Sequence, residues 1–366
     1  MKKSLIALAV AGAFVAPVAM ADVTIYGQAN VSLDFTNNGN GANGTNGTGA
    51  TKVTSNNSRI GFKGSEDLGD GVSAIWQFEN QWATDVGGFN GVRDSFAGLS
   101  SGSMGTLIAG VHDTPYKMAT RGFDLFGDGI ADNRSIMGAT GGGAVNHDAR
   151  LGNVIAYIAP AFSGVTLAGA YVAAAENATL SGQSKASAYS LAALYGDGPI
   201  KASFGYQNIS GGAANSSVAP AALLVSGNSA TAWKIGGGYS ADAFTINAVY
   251  ERTSSSIGGA DVLGQNNFYL GGKFNVSAND AVKAAYAKAG QVGSPSAANS
   301  GAKQFSIGYD HNMSKRTTVY ALYTKLTNDS AASYTLGGTT TGPVTSAGVG
   351  AGANPSAFSL GLKHSF

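Results

Sequence analysis

The sequence predicts an all-β protein, a transmembrane antiparallel up-and-down β-barrel. Three observations carry this: recurring segments of period-two alternation, connectors that are short and long in turn, and a composition poor in charge without being apolar. Only 12% of the 366 residues are charged and 54 are glycine, against roughly 25% charged residues in an ordinary soluble domain. A mean hydropathy of +0.03 excludes a helical membrane protein with many long apolar spans. Lys plus Arg (22) nearly equals Asp plus Glu (21), so no basic excess points to nucleic acid. A hydrophobic content of 44% with almost no net charge also excludes disorder. Apolar residues facing outward and polar ones facing inward satisfy all of these constraints.

The amino terminus sets the compartment. Lys2 and Lys3 precede an apolar stretch from Leu5 to Met20, and Ala19-Met20-Ala21 is a small-x-small cleavage site, the anatomy of a secretory signal peptide. Gly12 and Pro17 interrupt the stretch, and no stop-transfer pattern follows Asp22. The expectation is therefore a cleaved signal at 1–21, not an anchor, and one barrel domain at 22–366. An exported chain could use disulfides, but this one has no cysteine, so other forces must hold it together.

Strand after strand shows the alternation. Val23, Ile25, Ala29, Val31, Leu33 and Phe35 fall on one face, with Gly27 among them. Thr24, Tyr26, Gln28, Asn30, Ser32, Asp34 and Thr36 fall on the other. Period two over more than ten residues suits a strand crossing a bilayer at a tilt. Val72, Ala74, Trp76 and Phe78 repeat the pattern, as do Trp233, Ile235 and Tyr239, then Phe244, Ile246, Ala248 and Tyr250. Phe268, Leu270, Phe274 and Val276 follow, and Phe358, Leu360, Leu362 and Phe366 close the chain with His364 in step.

Short turns are expected at 65–71, 100–105, 159–164, 196–199, 240–243, 277–280 and 313–316. Longer segments rich in Asn, Gly, Ser and Thr lie between them, at 37–51, 83–91, 113–146, 177–185, 211–229, 254–265, 291–302 and 329–355. Seven short turns and eight long loops join sixteen strands. Fourteen or eighteen stay open at this point, because the segments 147–158 and 186–195 are Ala-rich. No stretch after residue 21 has a convincing helical period. The prolines beyond residue 21 fall in connectors or at strand edges, as ladder hydrogen bonding requires. A soluble sandwich would have strands of about five or six residues. Longer strands with alternating connector lengths mark a barrel with a short-turn end and a long-loop end.

Specific motifs add a family resemblance. Val23-Thr24-Ile25-Tyr26-Gly27 resembles the opening strand of Gram-negative general porins of the betaproteobacterial and neisserial type. Ser58-Arg59-Ile60-Gly61-Phe62-Lys63-Gly64, the turn Ser65-Glu66-Asp67-Leu68-Gly69 and Ala74-Ile75-Trp76-Gln77-Phe78-Glu79 resemble that family's second and third strands. Arg93 to Leu99, Asp113-Thr114-Pro115-Tyr116-Lys117, Asp124-Leu125-Phe126-Gly127-Asp128 and the terminal Gly361-Leu362-Lys363-His364-Ser365-Phe366 are similar too. The resemblance implies a sixteen-stranded homotrimer in the outer membrane, passing small hydrophilic solutes passively. It implies contact with outer-membrane lipid and lipopolysaccharide, and with the barrel-insertion machinery during assembly. Phe366 would belong to the insertion signal, besides anchoring its strand as an interfacial aromatic.

A barrel of sixteen strands encloses an aqueous lumen, and in this family the third loop folds inward to narrow it. Here that loop carries Asp113, Asp124, Asp128 and Asp132, partly offset by Lys117, Arg121 and Arg134. By motif position the opposing basic wall is Arg59 and Arg150, with Lys63 and Arg93 as further members. Opposed charged faces order water and sort solutes by charge. Two positions depart from the family: Val111, where Arg is common, and Gln28, where some relatives carry a basic residue. A thinner basic wall leads to the expectation of a neutral or weakly cation-preferring pore.

Catalytic motifs fail on context. Gly39-Asn40-Gly41-Ala42-Asn43-Gly44 matches G-x-G-x-x-G without a following helix, and Gly98-Leu99-Ser100-Ser101-Gly102 matches a nucleophile elbow in a tight turn. His112, His147, His311 and His364 lack metal-ligand spacing. The expectation is a channel, not an enzyme, with no cofactor and no metal. The alternatives are a substrate-selective channel of the same fold, which needs an aromatic track or dense basic ladder, and a barrel whose long loops serve adhesion.

Overall fold

The computed structural model describes residues 22–41, 47–140, 145–173, 187–211, 227–261, 263–293, 298–337 and 350–366. The predicted signal peptide lies outside the described residues. The barrel strands are β1 (Asp22–Asn37), β2 (Gly49–Ser55 and Arg59–Gly69), β3 (Val72–Trp82), β4 (Phe89–Val92 and Ser95–Ser101) and β5 (Gly105–Asp113). Next come β6 (Arg150–Ile158), β7 (Val165–Val172), β8 (Ser187–Asp197), β9 (Ile200–Ser210), β10 (Ser229–Ser240) and β11 (Phe244–Ile257). The last are β12 (Gln265–Asn275), β13 (Asp280–Ala289), β14 (Ala302–Asn312), β15 (Thr317–Asn328) and β16 (Ser356–Ser365). Each pairs antiparallel with its neighbours. β16 pairs with β1 from Gln28↔Ser365 to Asn37↔Ser356, which closes the barrel. The described residues thus make sixteen barrel strands, beside the short strands Ala139–Thr140, Val145–Asn146 and Ala260–Asp261, and the Ala-rich segments supply β6 and β8.

Closure satisfies the backbone without a free edge, the condition for strands to cross a bilayer. The alternation then sets the two faces. On β1, Val23, Ile25, Leu33 and Phe35 are exposed on the outside, while Gln28, Asn30, Ser32, Asp34 and Thr36 are buried on the inside. Trp76, Phe78, Trp233, Ile235, Phe268, Leu270, Phe358 and Leu360 continue the outward apolar surface. This inverts a soluble core, and it explains near-zero hydropathy in a membrane chain.

The short turns fall where the pattern puts them, with longer strands than expected. β2 runs to Gly69, so its turn is Asp70–Gly71, whose φ angles of 51° and 73° match a hairpin turn with two left-handed residues. β11 likewise runs to Ile257, shortening the next loop.

The third loop corrects one expectation, because it contains a helix. α1 spans Pro115–Arg121, with Pro at its start and the Thr114 side chain accepting from the Lys117 amide. Seven residues are too few to display a helical period, but Thr-Pro is a helix-start signal. A single 3-10 turn follows at Asn133–Ser135.

The loop lies along the inner wall. α1 packs on β7 to β10. Phe123 covers Gly236 and Gly238 of β10, and Phe126 reaches Gly308 of β14. A Cβ at Gly236 would stand 2.7 Å from the Phe123 ring, so glycine there lets the loop approach the sheet. Phe123, Phe126, Ile130, Ile136 and Met137 form an apolar cluster with Val249, Tyr269, Leu322 and Leu326 of the wall. Tyr334 and Leu336 of the last long loop belong to the same cluster. The apolar core of this protein is therefore inside the pore, under the loop.

The candidate pore constriction

Buried polar contacts fasten the loop to the wall. Glu251 of β11 is fully buried. Its carboxylate accepts from the Tyr116 hydroxyl at 2.6 Å, the Gly138 amide at 2.9 and 3.0 Å, and the Asn267 side-chain amide at 2.9 Å. Lys234 of β10, also fully buried, donates to Asp148 at 2.7 Å and sits 3.9 Å from the Tyr116 ring centroid. The Tyr116 amide donates to Ser190 of β8 at 2.8 Å.

From this anchorage the loop reaches across the lumen. Asp128, at φ 63°, is its tip. Arg59 of β2 pairs with it at 3.1 Å, Asn57 donates to it at 3.3 Å, and Asn30 of β1 donates to its carbonyl at 3.0 Å. Asp113 is the last residue of β5, where it accepts from Lys117 at 2.9 Å and pairs with Arg150 at 3.0 Å. Arg150 also donates to Asp94 at 2.7 Å. Arg93 pairs with Glu79 on the neighbouring strand.

Asp124 and Asp132 take a different part. Their side chains are almost wholly buried within the loop. Asp132 receives Arg121 at 3.0 Å and Arg134 at 2.9 Å, and it accepts from the amides of Asp128 and Arg134. Burial alone would raise its pKa, but Arg121 and Arg134 outweigh that and hold it far below the usual carboxylate range. Asp124 is pushed up to about 6, by burial first and then by the Asp132 charge, against the pull of Arg121. These two acids shape the loop from within, whereas Asp128 and Asp113 meet the wall.

The passage is a cavity of about 610 Å³ lined by Arg59, Arg93, Asp113, Arg121, Asp124 and Asp128 among others. Arg150 and Lys63 do not line it. Arg150 is held by its two acids, and Lys63 sits 5.4 Å from the Tyr26 ring centroid. Sequence reasoning missed Lys273 of β12, Lys283 of β13, Asp310 of β14 and Lys363 of β16, which also line the cavity, Lys363 beside Asn30 of β1. Lys283 pairs with Asp310 at 2.9 Å and lies 4.8 Å from the Phe126 ring centroid. The signal was present, since Lys273 and Lys363 hold the polar phase beside Phe274 and Leu362. Among the described residues no three His, Cys, Asp or Glu side chains gather as a metal site. Gly98–Gly102 runs from β4 into a hairpin turn with no helix after it.

A prediction follows from Asp124. Its folded pKa lies above its ordinary value of 3.8, so the protonated acid favours the packed loop. That contribution is present below about pH 4 and is lost as pH rises through 6, at a cost of about 3 kcal/mol. Channel conductance should change in a step centred near pH 6 that Asp124→Asn removes. An identical pH profile in the variant would assign the step elsewhere.

A closed barrel with an apolar belt, a polar lumen and a charged loop folded across it defines a water-filled channel through a lipid bilayer. The chain belongs to the Gram-negative porin family, whose profile matches residues 7–332. It is 32% identical to outer membrane porin protein 32 of Delftia acidovorans, over the full length of both chains. It is 46% identical to major outer membrane protein P.IB of Neisseria meningitidis serogroup B, over 28% of this chain and 31% of that one. An anion-selective porin from Comamonas acidovorans superposes with a TM-score of 0.77 at 25% identity, over 94% of this chain and all of that one. OmpF of Salmonella typhi, at 16% identity and a TM-score of 0.67 over 94% of this chain and 98% of its own, shares the fold. The protein is a porin of the outer membrane, a passive channel for small hydrophilic solutes.

Proposed function

We propose that the channel is a general diffusion pore without catalysis, active as a homotrimer, with a weak preference for anions. One observation carries the preference. Lys273 and Lys363 line the cavity, and neither has a carboxylate within 4 Å among the described residues. Of the acids at the wall, Asp128 is engaged by Arg59, Asp113 by Lys117 and Arg150, and Asp310 by Lys283, while Asp280 is held by Ser277, Tyr309 and His311 and by no lysine or arginine. Paired charges cancel at a distance, so Lys273 and Lys363, set against Asp280, leave the passage with a small positive excess. This reverses the neutral or weakly cation-preferring pore expected from Arg59, Arg93, Arg150 and Lys63 alone. The similar porin from Comamonas acidovorans is anion-selective, which supports the reading, and a solved trimer of similar fold supports the assembly. The leader 1–21 is read as cleaved after Ala21.

Planar bilayers test this. In a salt gradient the reversal potential should have the sign of anion preference, and K273Q/K363Q should move it towards cations. A cation-preferring native channel would overturn the proposal. Conductance should appear in groups of three equal steps if the trimer is the unit inserted.

A further inference from the structure

Among the described residues, Gly205, Gly236, Gly238, Gly271 and Gly308 face inward under the third loop. Their order around the barrel follows the order of the loop residues above them. Gly205 of β9 lies beneath α1, where an added Cβ would stand 2.9 Å from the Ala119 methyl and 3.2 Å from the Tyr116 carbonyl oxygen. Gly236 and Gly238 of β10 lie beneath Phe123, Gly271 of β12 beneath Leu125 and Gly308 of β14 beneath Phe126. Register puts part of this track in one row, because Gly238 is the partner of Asn247 and Asn247 that of Gly271. Over that row Asn247 donates to the Phe123 carbonyl at 2.8 Å, and beside it the Tyr269 hydroxyl accepts from the Leu125 amide at 3.0 Å. A Cβ on Gly238 would stand 2.5 Å from the Asn247 side-chain oxygen, and one on Gly271 would stand 2.5 Å from the Tyr269 hydroxyl. These glycines thus admit both the apolar side chains of the loop and the polar groups that hold its backbone.

The backbone does not ask for glycine at these positions. None of them takes a positive φ, so alanine fits their conformation, and glycine inside a strand only weakens it. Their outward neighbours make the contrast. Gly237 and Gly272 alternate with Gly236, Gly238 and Gly271, and a Cβ on either meets nothing within 4 Å. What sets the inner glycines apart is the loop.

We propose that these glycines are the size-determining residues of the channel: they fix how closely the third loop lies against the wall, and so how much of the lumen stays open to solute. The loop cannot slide away from an added methyl. The Glu251 carboxylate holds it at both ends, through Tyr116 and Gly138, and Arg59 holds its tip through Asp128. A segment tethered in this way, with a bump beneath it, bows into the lumen. Non-bonded carbon atoms settle about 3.5–4.0 Å apart. A Cβ on Gly236 would begin 2.7 Å from the Phe123 ring, so the ring must retreat by about 1 Å. The effect is steric and moves no charged residue out of the passage, so it acts on solute size and is independent of the anion preference.

The test uses the purified full channel in planar bilayers and in proteoliposomes, with arabinose, glucose and N-acetylglucosamine as uncharged probes of rising size. Gly236→Ala should lower single-channel conductance, and adding Gly205→Ala should lower it further. Liposome swelling should slow more, the larger the sugar, while the sign of the reversal potential stays native. Gly237→Ala should match the native channel in every readout. Gly236→Ala combined with Phe123→Leu, which removes the ring atoms that the methyl meets, should recover conductance. A variant that merely folds poorly gives fewer channels, not smaller ones, so the step size separates the proposal from a loss of stability. An unchanged or larger step in Gly236→Ala, or an equal fall in Gly237→Ala, would overturn it.

Discussion

Replacing Lys234 with methionine is expected to release the third loop from the wall and raise single-channel conductance. Methionine fills nearly the same volume, so packing changes little and the effect isolates the charge. Lys234 is fully buried and pairs with Asp148, itself 5% exposed. Without the ammonium, Asp148 is left buried and unpaired, and Glu251 loses the nearby cation over the Tyr116 ring. Breaking a buried pair by removing one partner costs about 3–5 kcal/mol, enough to undock a loop whose other ties are a few hydrogen bonds. The companion K234M/D148N removes both charges, and such a paired replacement is often close to neutral. Conductance should therefore rise in the single variant and fall back towards native in the double. Glu251→Gln should lie between them, because one amide oxygen cannot serve the Tyr116 hydroxyl and the Gly138 amide as two carboxylate oxygens do. If K234M conducts like the native channel, the latch does not hold the constriction.

The barrel itself was legible because one physical rule wrote it everywhere. A strand between lipid and water must alternate, and the phase of β1 read from Val23 to Thr36 is the phase that burial confirms. Connector lengths were legible for a similar reason, since one end of the barrel has only tight turns. The constriction was partly legible. Arg59, Arg93, Asp113 and Asp128, four of the residues the sequence offers for the constriction, line the cavity. Asp124 and Asp132 belong to the loop's interior, and no local pattern separates a carboxylate aimed at solute from one that accepts neighbouring amides. Lys273, Lys283 and Lys363 were missed because they come from strands far along the chain, which closure alone brings to the same cavity as Arg59. Lys234 and Glu251 show the same limit, being polar residues in the inward phase whose partners lie 86 and 135 residues away. Short-range sequence describes the wall; charge pairing across the lumen is a property of the closed ring.

Gly27→Val is expected to abolish the folded barrel in cells and in detergent alike, whereas Phe366→Ala should fail only in cells. The distinction lies in what each residue does at the seam. Gly27 donates to the Phe366 carbonyl at 3.0 Å and accepts from the Phe366 amide at 3.1 Å, the last rungs that join β1 to the chain end. A Cβ at Gly27 would lie 2.5 Å from the Arg59 carbonyl oxygen and would collide with the Phe366 ring. The backbone on one side cannot yield, so valine forces β1 away from β2 or displaces the terminus, at a cost upwards of about 3 kcal/mol. Phe366→Ala leaves both backbone rungs in place and removes only a ring that is 41% exposed, a small loss for a refolded barrel. If that ring is also read by the insertion machinery, as the family resemblance implies, the variant should accumulate unfolded in the periplasm yet refold in detergent. Gel mobility before and after heating distinguishes the states. Normal insertion of Phe366→Ala would confine the terminal aromatic to its interfacial role. Gly27 also links assembly to selectivity: it packs against the backbone carbonyl of Arg59, the residue next to its strand partner Ile60 and the one that holds the loop tip through Asp128, so Gly27→Ala should shift conductance in whatever fraction still folds.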